Sequence, residues 1–165
     1  MELFILRHAE AGKRLPVRAK DADRPLTEEG KEEVKQVAKA IKSLNIKPDL
    51  IVSSPLKRAK ETAEIAAKTI GGKAKPELWD ELKPEGSRDA FLKRLSSVKA
   101  ESTVLCVGHE PYLTQLIGDV VHHQVKPMLV LKKAGVARLS LSSLHPKAEG
   151  ELKWLLTPRL LKRLS

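Results

Sequence analysis

Three short apolar runs, each ending abruptly in polar or cationic residues and each followed by a helix-like stretch, constrain this chain more than anything else in it. The first, Leu-Phe-Ile-Leu at 3–6, stops at Arg7-His8 and continues into Ala9-Glu10. The second, Leu-Ile-Val-Ser at 50–53, stops at Ser54-Pro55 and places Arg58 in the first turn of the helix that follows. The third, Thr-Val-Leu-Cys-Val at 103–107, stops at Gly108-His109-Glu110-Pro111. Unbroken apolar runs suit strands buried on both faces, as in a parallel sheet. Parallel neighbours need crossover helices, and the ligand crevice of such a sheet lies outside the carboxyl ends of its strands.

The stretches between the runs supply those helices. Thr27 predicts an N-cap, with Glu28 and Glu29 in the first turn, where the helix dipole favours carboxylates. Val34, Val37, Ala38, Ile41 and Leu44 then recur at helical spacing, opposite Lys31, Glu32, Lys35, Lys39 and Lys42. Ser54 as a cap and Pro55 at the first helical position predict a second helix, with Ala59, Ala63, Ala66, Ala67 and Ile70 facing inward. Gly71-Gly72 ends it. Residues 75–86 read as an acidic, proline-bounded loop, followed by a short helix from Ser87 with Phe91, Leu92, Leu95 and Val98 inward. Another helix runs through Leu113, Leu116, Ile117, Val120 and Val121. The polar connection 11–24 is too long for a plain turn and is expected to wall one side of the crevice.

The last third changes period. Residues 136–142 and 151–156 alternate apolar with polar, which predicts an antiparallel hairpin on the sheet edge, and the basic tail 159–163 reads as a packed terminal turn. Together these segments predict an α/β three-layer sandwich: a mostly parallel central sheet, helices on both faces and an antiparallel edge hairpin near the C-terminus. At 165 residues and 41% hydrophobic content, one domain spanning 1–165 accounts for the chain. Its first residues lack a basic segment followed by a long apolar run, so a cytoplasmic protein without a membrane span is expected. Cys106 has no partner for an intramolecular disulfide and reads as a small buried hydrophobe.

Lys and Arg number 31 against 21 Asp and Glu, a formal charge of +10, which suits an anionic partner. Two Trp, two Phe and one Tyr, with no basic-aromatic interleaving, count against nucleic acid. His122 and His123 diverge as neighbours and have no carboxylate or cysteine at ligand spacing, and His145 reads as a surface turn residue. No metal site and no cofactor are expected. What the topology does gather, at one edge of one sheet, is Arg7, His8, Arg58 and His109. Two guanidiniums and two imidazoles there can hold phosphoryl oxygens by charge-assisted hydrogen bonds. Nearby positive charge would keep an imidazole neutral and nucleophilic. Phosphoryl transfer is the chemistry this points to.

Leu-Arg-His-Ala at 6–9, Ser-Ser-Pro-Leu-Lys-Arg-Ala-Lys-Glu-Thr-Ala at 53–63 and Val-Gly-His-Glu-Pro at 107–111, in that order, resemble the histidine phosphatase superfamily with its phosphoglycerate mutase-like fold. Arg24-Pro25-Leu26-Thr27, the short chain and the ending Trp154-Leu155-Leu156-Thr157-Pro158 resemble its small SixA-type phosphohistidine phosphatase branch. The resemblance implies a metal-independent phosphatase with His8 as nucleophile and a phosphohistidine intermediate hydrolysed by water. It gives Arg7, Arg58 and His109 to the phosphoryl oxygens, with Arg24 as a further contact. It makes Glu81 the nearest match for a general acid, beside Asp80 and Glu85. Ala9 stands where the superfamily usually has glycine. The implied substrate is phosphohistidine in a phosphorylated protein. The alternatives are a small phosphomonoester or, in a different class, an acidic or nucleic-acid partner gripped by a basic protein with a vestigial site. Phosphohistidine asks less of an acid than an ester does, because imidazole leaves more readily than an alkoxide.

Overall fold

The architecture is that of a computed structural model, which describes residues 1–14, 21–121 and 129–164. Six strands form one mixed sheet: β1 (Glu2–Arg7), β2 (Leu50–Ser53), β3 (Pro76–Leu78), β4 (Thr103–Gly108), β5 (Val136–Ser143) and β6 (Glu149–Leu156), in the spatial order β3-β2-β4-β1-β5-β6. The three apolar runs are the adjacent central strands β2, β4 and β1, all parallel, with Glu2 to Arg7 in register with Thr103 to Gly108. The alternating hairpin lies where its period predicts. β5 pairs antiparallel with β1 and with β6, leaving β6 on the edge.

Helices cover both faces, and strand alternation decides which residues meet them. Phe4, Leu6, Ile51, Leu105 and Val107 pack with α1 (Glu28–Ser43), α2 (Lys57–Ile70) and Leu161 of the terminal turn α5 (Pro158–Leu161). Leu3, Ile5, Val52, Val104 and Cys106 face the opposite layer, where Phe91 and Leu95 of α3 (Arg88–Leu95) and Leu113, Leu116 and Ile117 of α4 (Tyr112–Val121) close the core. Cys106 is fully buried, and burial raises its thiol pKa. The basic tail is the packed turn that was expected, with Leu161 buried and Leu160 exposed. Among the described residues, no helix is long and apolar enough to cross a membrane.

Several boundaries differ from the expectation. Thr27 does cap α1, its hydroxyl accepting from Gly30 N at 3.0 Å, but Leu44 at the far end is exposed. Ser54 and Pro55 do not open α2. The helix begins at Lys57, Leu56 occupies the cap position without a side-chain bond, and Ala67 is only half-buried. Residues 75–86 are more than a loop: Pro76–Leu78 adds a parallel edge strand and Asp80–Leu82 forms a 3-10 turn. These elements are too short and too exposed to leave an apolar period in the sequence. His122 and His123 lie outside the described residues, and His145 is exposed as expected.

Gly30 is where a side chain would not fit. A Cβ there would sit 2.2 Å from the carbonyl oxygen of Glu10, so glycine lets the start of α1 press against the segment that follows β1. Thr27 N donates to the same carbonyl at 3.0 Å. The first turn of α1 thereby fixes the chain two residues beyond His8.

Candidate active site

The carboxyl ends of β1, β2 and β4 are joined by main-chain bonds that continue past the strands. His8 N donates to Gly108 O at 3.0 Å, and Ser54 N donates to Val107 O at 3.0 Å. The sheet ladder therefore carries His8 and His109 onto one platform. Their ring centroids lie 5.0 Å apart with planes inclined by 57°, and the two residues are only 7% and 2% exposed. Together with Arg7, Arg24, Arg58, Asp21, Glu10 and Glu110 they line a cleft of about 710 Å3.

A hydrogen bond selects the tautomer of His8. His8 Nδ1 lies 2.8 Å from Ala9 O, and a carbonyl only accepts, so Nδ1 carries the hydrogen and Nε2 keeps a lone pair. Burial lowers the His8 pKa to about 4, with Arg58, Arg7 and Arg24 adding repulsion against the Ala9 bond. Burial thus contributes more than the neighbouring charge that the sequence suggested. His109 Nε2 lies 2.8 Å from Ser54 Oγ. That oxygen also accepts from Leu56 N at 3.3 Å, and with its own hydrogen turned toward Nε2 it leaves the His109 hydrogen on Nδ1 as a donor. Burial, then His8 and the arginines, push His109 down to about 2. Both rings are neutral near pH 7; His8 offers a lone pair, and in the tautomer with Ser54 donating His109 offers an N–H.

The guanidiniums are held from separate elements. Arg7 Nη1 donates to Leu131 O at 2.9 Å, just before β5. Arg58 is 5% exposed and donates from Nη1 to the Asp21 carbonyl at 3.0 Å, with Asp21 Oδ2 at 3.4 Å. Arg24 donates from Nε to Asp21 Oδ1 at 2.9 Å and from Nη1 to Gly12 O at 2.7 Å. Burial lowers the Arg58 pKa, as does Arg24 beside it, and Asp21 opposes that shift. Asp21 therefore ties together two cations that would otherwise repel. Thr62 completes the support, donating to Arg58 O at 2.7 Å and accepting from Ala9 N at 3.4 Å. Ala9 itself is fully buried, its methyl absorbed into the core on that face.

Buried polar groups are nearly always satisfied, so those that are not mark where a ligand completes the bonding. Among the described residues, three buried nitrogens of the cleft have no partner: Arg7 Nε and Arg58 Nε, which are donors, and His109 Nδ1, which is one when Ser54 donates to Nε2. An oxygen-rich anion satisfies such donors.

Of the residues singled out from the sequence, Arg7, His8, Arg24, Arg58 and His109 are brought together. Glu81 is not. Its carboxylate takes Arg94 Nη1 at 3.1 Å, Arg94 stacks over Trp79 at 4.1 Å, and the cleft lining from that segment is Pro84. Asp80, one of its competitors, pairs with Lys83 at 2.8 Å, and Glu85 does not line the cleft either. The 3-10 turn that buries Leu82 and packs Trp79 against Phe91 directs this acidic stretch toward α3 instead. Sequence reasoning missed Ser54, read as a helix cap, and Asp21, whose signal was its spacing three residues before Arg24. It also gave no role to Glu110 beside His109.

Comparisons with known proteins find relatives over nearly the whole chain. The family model described as histidine phosphatase superfamily (branch 1) matches residues 3–84, covering β1, Arg24 and Arg58. An uncharacterized protein of Picosynechococcus sp. (strain PCC 7002) is 36% identical over 98% of this chain and 99% of its own length. The phosphohistidine phosphatase SixA of Escherichia coli (strain K12) is 26% identical over 98% and 97%. The chain belongs to the histidine phosphatase superfamily. Among solved structures, the protein histidine phosphatase SixA complexed with tungstate superposes with a TM-score of 0.84 at 26% identity, covering 98% of this chain and 99% of that one. An alpha-ribazole phosphatase from Shigella flexneri, 18% identical over 96% and 97%, shares the fold with a TM-score of 0.74. The chain is a phosphatase-class hydrolase of the SixA-like type, with the three-layer mixed sheet of those relatives.

Proposed function

We propose that the protein is a metal-independent phosphohistidine phosphatase that works through a covalent intermediate on His8. The observation that carries this reading is the convergence of three unpartnered buried nitrogens on a cleft in which the neutral imidazole of His8 offers Nε2 as a lone pair. In the first step the Nε2 pair forms a bond to phosphorus as the bond to the leaving group breaks. Arg7, Arg58 and the Nδ1–H of His109 hold the three non-bridging oxygens, and Arg24 adds charge from the rim. Such preorganised donors act where negative charge is spread over those oxygens in the loose transition state. In the second step water attacks phosphorus, the P–N bond returns its pair to His8 and orthophosphate leaves. The similarity to SixA supports phosphohistidine in a protein as the substrate, acting in the cytoplasm.

The test is turnover of p-nitrophenyl phosphate and of a phosphohistidine-bearing protein with and without EDTA, alongside trapping of acid-labile, base-stable phosphate on the enzyme. Activity indifferent to EDTA, with label lost in His8→Ala, is the expected result. EDTA-sensitive turnover, or label retained in His8→Ala, contradicts it. Salt-sensitive retention of DNA without any turnover would favour a basic binding protein instead.

A further inference from the structure

The cleft is lined by three carboxylates, and their partners differ. Glu10 Oε2 lies 2.5 Å from Lys133 Nζ, and this hydrogen-bonded ion pair holds its carboxyl below the ordinary range. Asp21 is engaged by Arg24 and Arg58. Glu110 differs from both: Oε2 accepts from the Thr114 hydroxyl one turn into α4, and Oε1 is buried with no hydrogen-bond partner. A carboxylate locked between cations cannot carry a proton at neutral pH, whereas a half-buried one whose hydrogen bond comes from a hydroxyl can. The acidic stretch 80–85 supplies no competitor, since none of its carboxylates lines the cleft.

We propose that Glu110 is the proton donor to the leaving group during transfer to His8, and that it extends the site from phosphoramidates such as phosphohistidine to alkyl phosphomonoesters. This rests on the phosphatase reading above and adds a substrate class to it. The groups acting on Glu110 are Arg7 from β1 and Thr114 from α4, and the imidazoles of His8 and His109 line the same cleft. Burial raises its carboxyl pKa above the usual range, while the Thr114 bonds and Arg7 oppose the rise. The proton balance closes without another reactant. The His8 Nε2 pair forms the N–P bond, the P–O bond breaks, and the departing oxygen takes the Glu110 proton to leave as an alcohol. The resulting carboxylate then takes a proton from the water that attacks phosphorus, which regenerates the acid and frees orthophosphate. Phosphohistidine needs this less, because its leaving imidazole can be protonated at the ring nitrogen remote from phosphorus.

The experiment compares an alkyl phosphate, p-nitrophenyl phosphate and phosphoimidazole on the wild type and on Glu110→Gln, which keeps the shape and the ability to accept from Thr114. General acid catalysis is typically worth about 10² to 10⁴ in rate, so the variant is expected to lose at least about 10²-fold more kcat on the alkyl phosphate than on the other two. The wild type supplies a second readout that needs no variant. Its alkyl phosphate profile falls on the alkaline side as Glu110 ionises, and its p-nitrophenyl phosphate profile lacks that limb. Equal losses on all three substrates, or a wild type that turns over p-nitrophenyl phosphate but not the alkyl ester, overturn the proposal while leaving the phosphatase reading intact. A wild type inactive on all three sinks both.

Discussion

His8 and His109 stand on the sheet's own ladder of main-chain bonds, whereas Arg24 and Asp21 stand on a connecting segment held to Gly12 and Arg58 through side chains. The floor of the cleft is therefore fixed by the same register that fixes the fold, with Arg7 to Gly108 pairing as its last rung. The wall is fixed by side chains, the Asp21 pairs with Arg24 and Arg58 among them, with a short main-chain bridge between Gly12 and Pro25 beside them. A floor of this kind suits bond-making, which needs atoms placed within fractions of an ångström. A wall of this kind suits capture of an anion, because Asp21 neutralises part of a cationic cluster until substrate arrives.

If that division is right, substitutions on the floor cost kcat and those on the wall cost KM. The largest expected effect is His8→Ala, a loss of about 10⁴-fold or more in kcat with substrate binding largely kept, measured by steady-state turnover and by orthophosphate affinity. His109→Ala removes one oxyanion donor and is expected to cost about 10² to 10³ in kcat. Ser54→Ala leaves the ring in place but frees its tautomer, for a smaller loss in the same parameter. On the wall, Asp21→Asn is expected to raise KM by about tenfold, roughly 1.4 kcal/mol of binding, with kcat within a few-fold. A fall in kcat with KM unchanged would erase the distinction between floor and wall. Glu81→Gln is expected to change either parameter least, since that side chain pairs with Arg94 outside the cleft.

Acid sharpens the same contrast. His8 and His109 are buried neutral, with pKa values lowered to about 4 and about 2 from an ordinary 6.5. Below the ordinary value the unfolded chain binds protons that the folded chain refuses. Their contribution is thus full above about pH 6.5 and is lost as pH falls toward 4 and below. Melting temperature is expected to drop through that window, and His8→Asn should flatten the decline. The acid limb of kcat/KM should lie near pH 4, not 6.5, and a limb at 6.5 would mean that the floor is wet.

How far the sequence could be read depended on what kind of force placed each residue. The central strands were legible because Leu3 to Leu6 and Val104 to Val107 are buried on both faces, and a continuous apolar run is the direct imprint of that burial. Arg7, His8, Arg58 and His109 were legible because each follows such a run at once or in the first turn of the helix after it. Glu81 was misplaced because the packing of Trp79 against Phe91, which turns that acidic stretch toward α3, depends on tertiary contact and leaves no local period. Ser54 was misread because a serine before a proline has two good uses. Nothing in residues 50–58 reveals that a histidine about 55 positions downstream takes its hydroxyl. The carbonyl of Leu131 that holds Arg7 carried no signal at all, since every residue has one.

That carbonyl sets a timetable. Arg7 is tied to Leu131, and Ala134 N donates to the carbonyl of Arg7 itself, so the side chain and the main chain of the last residue of β1 are both anchored by a segment made more than a hundred residues later. A chain emerging from the ribosome displays His8 early and can complete the socket around it only once residues 131–134 have been made. The cleft around His8 is thus completed only when the segment leading into β5 docks beside β1.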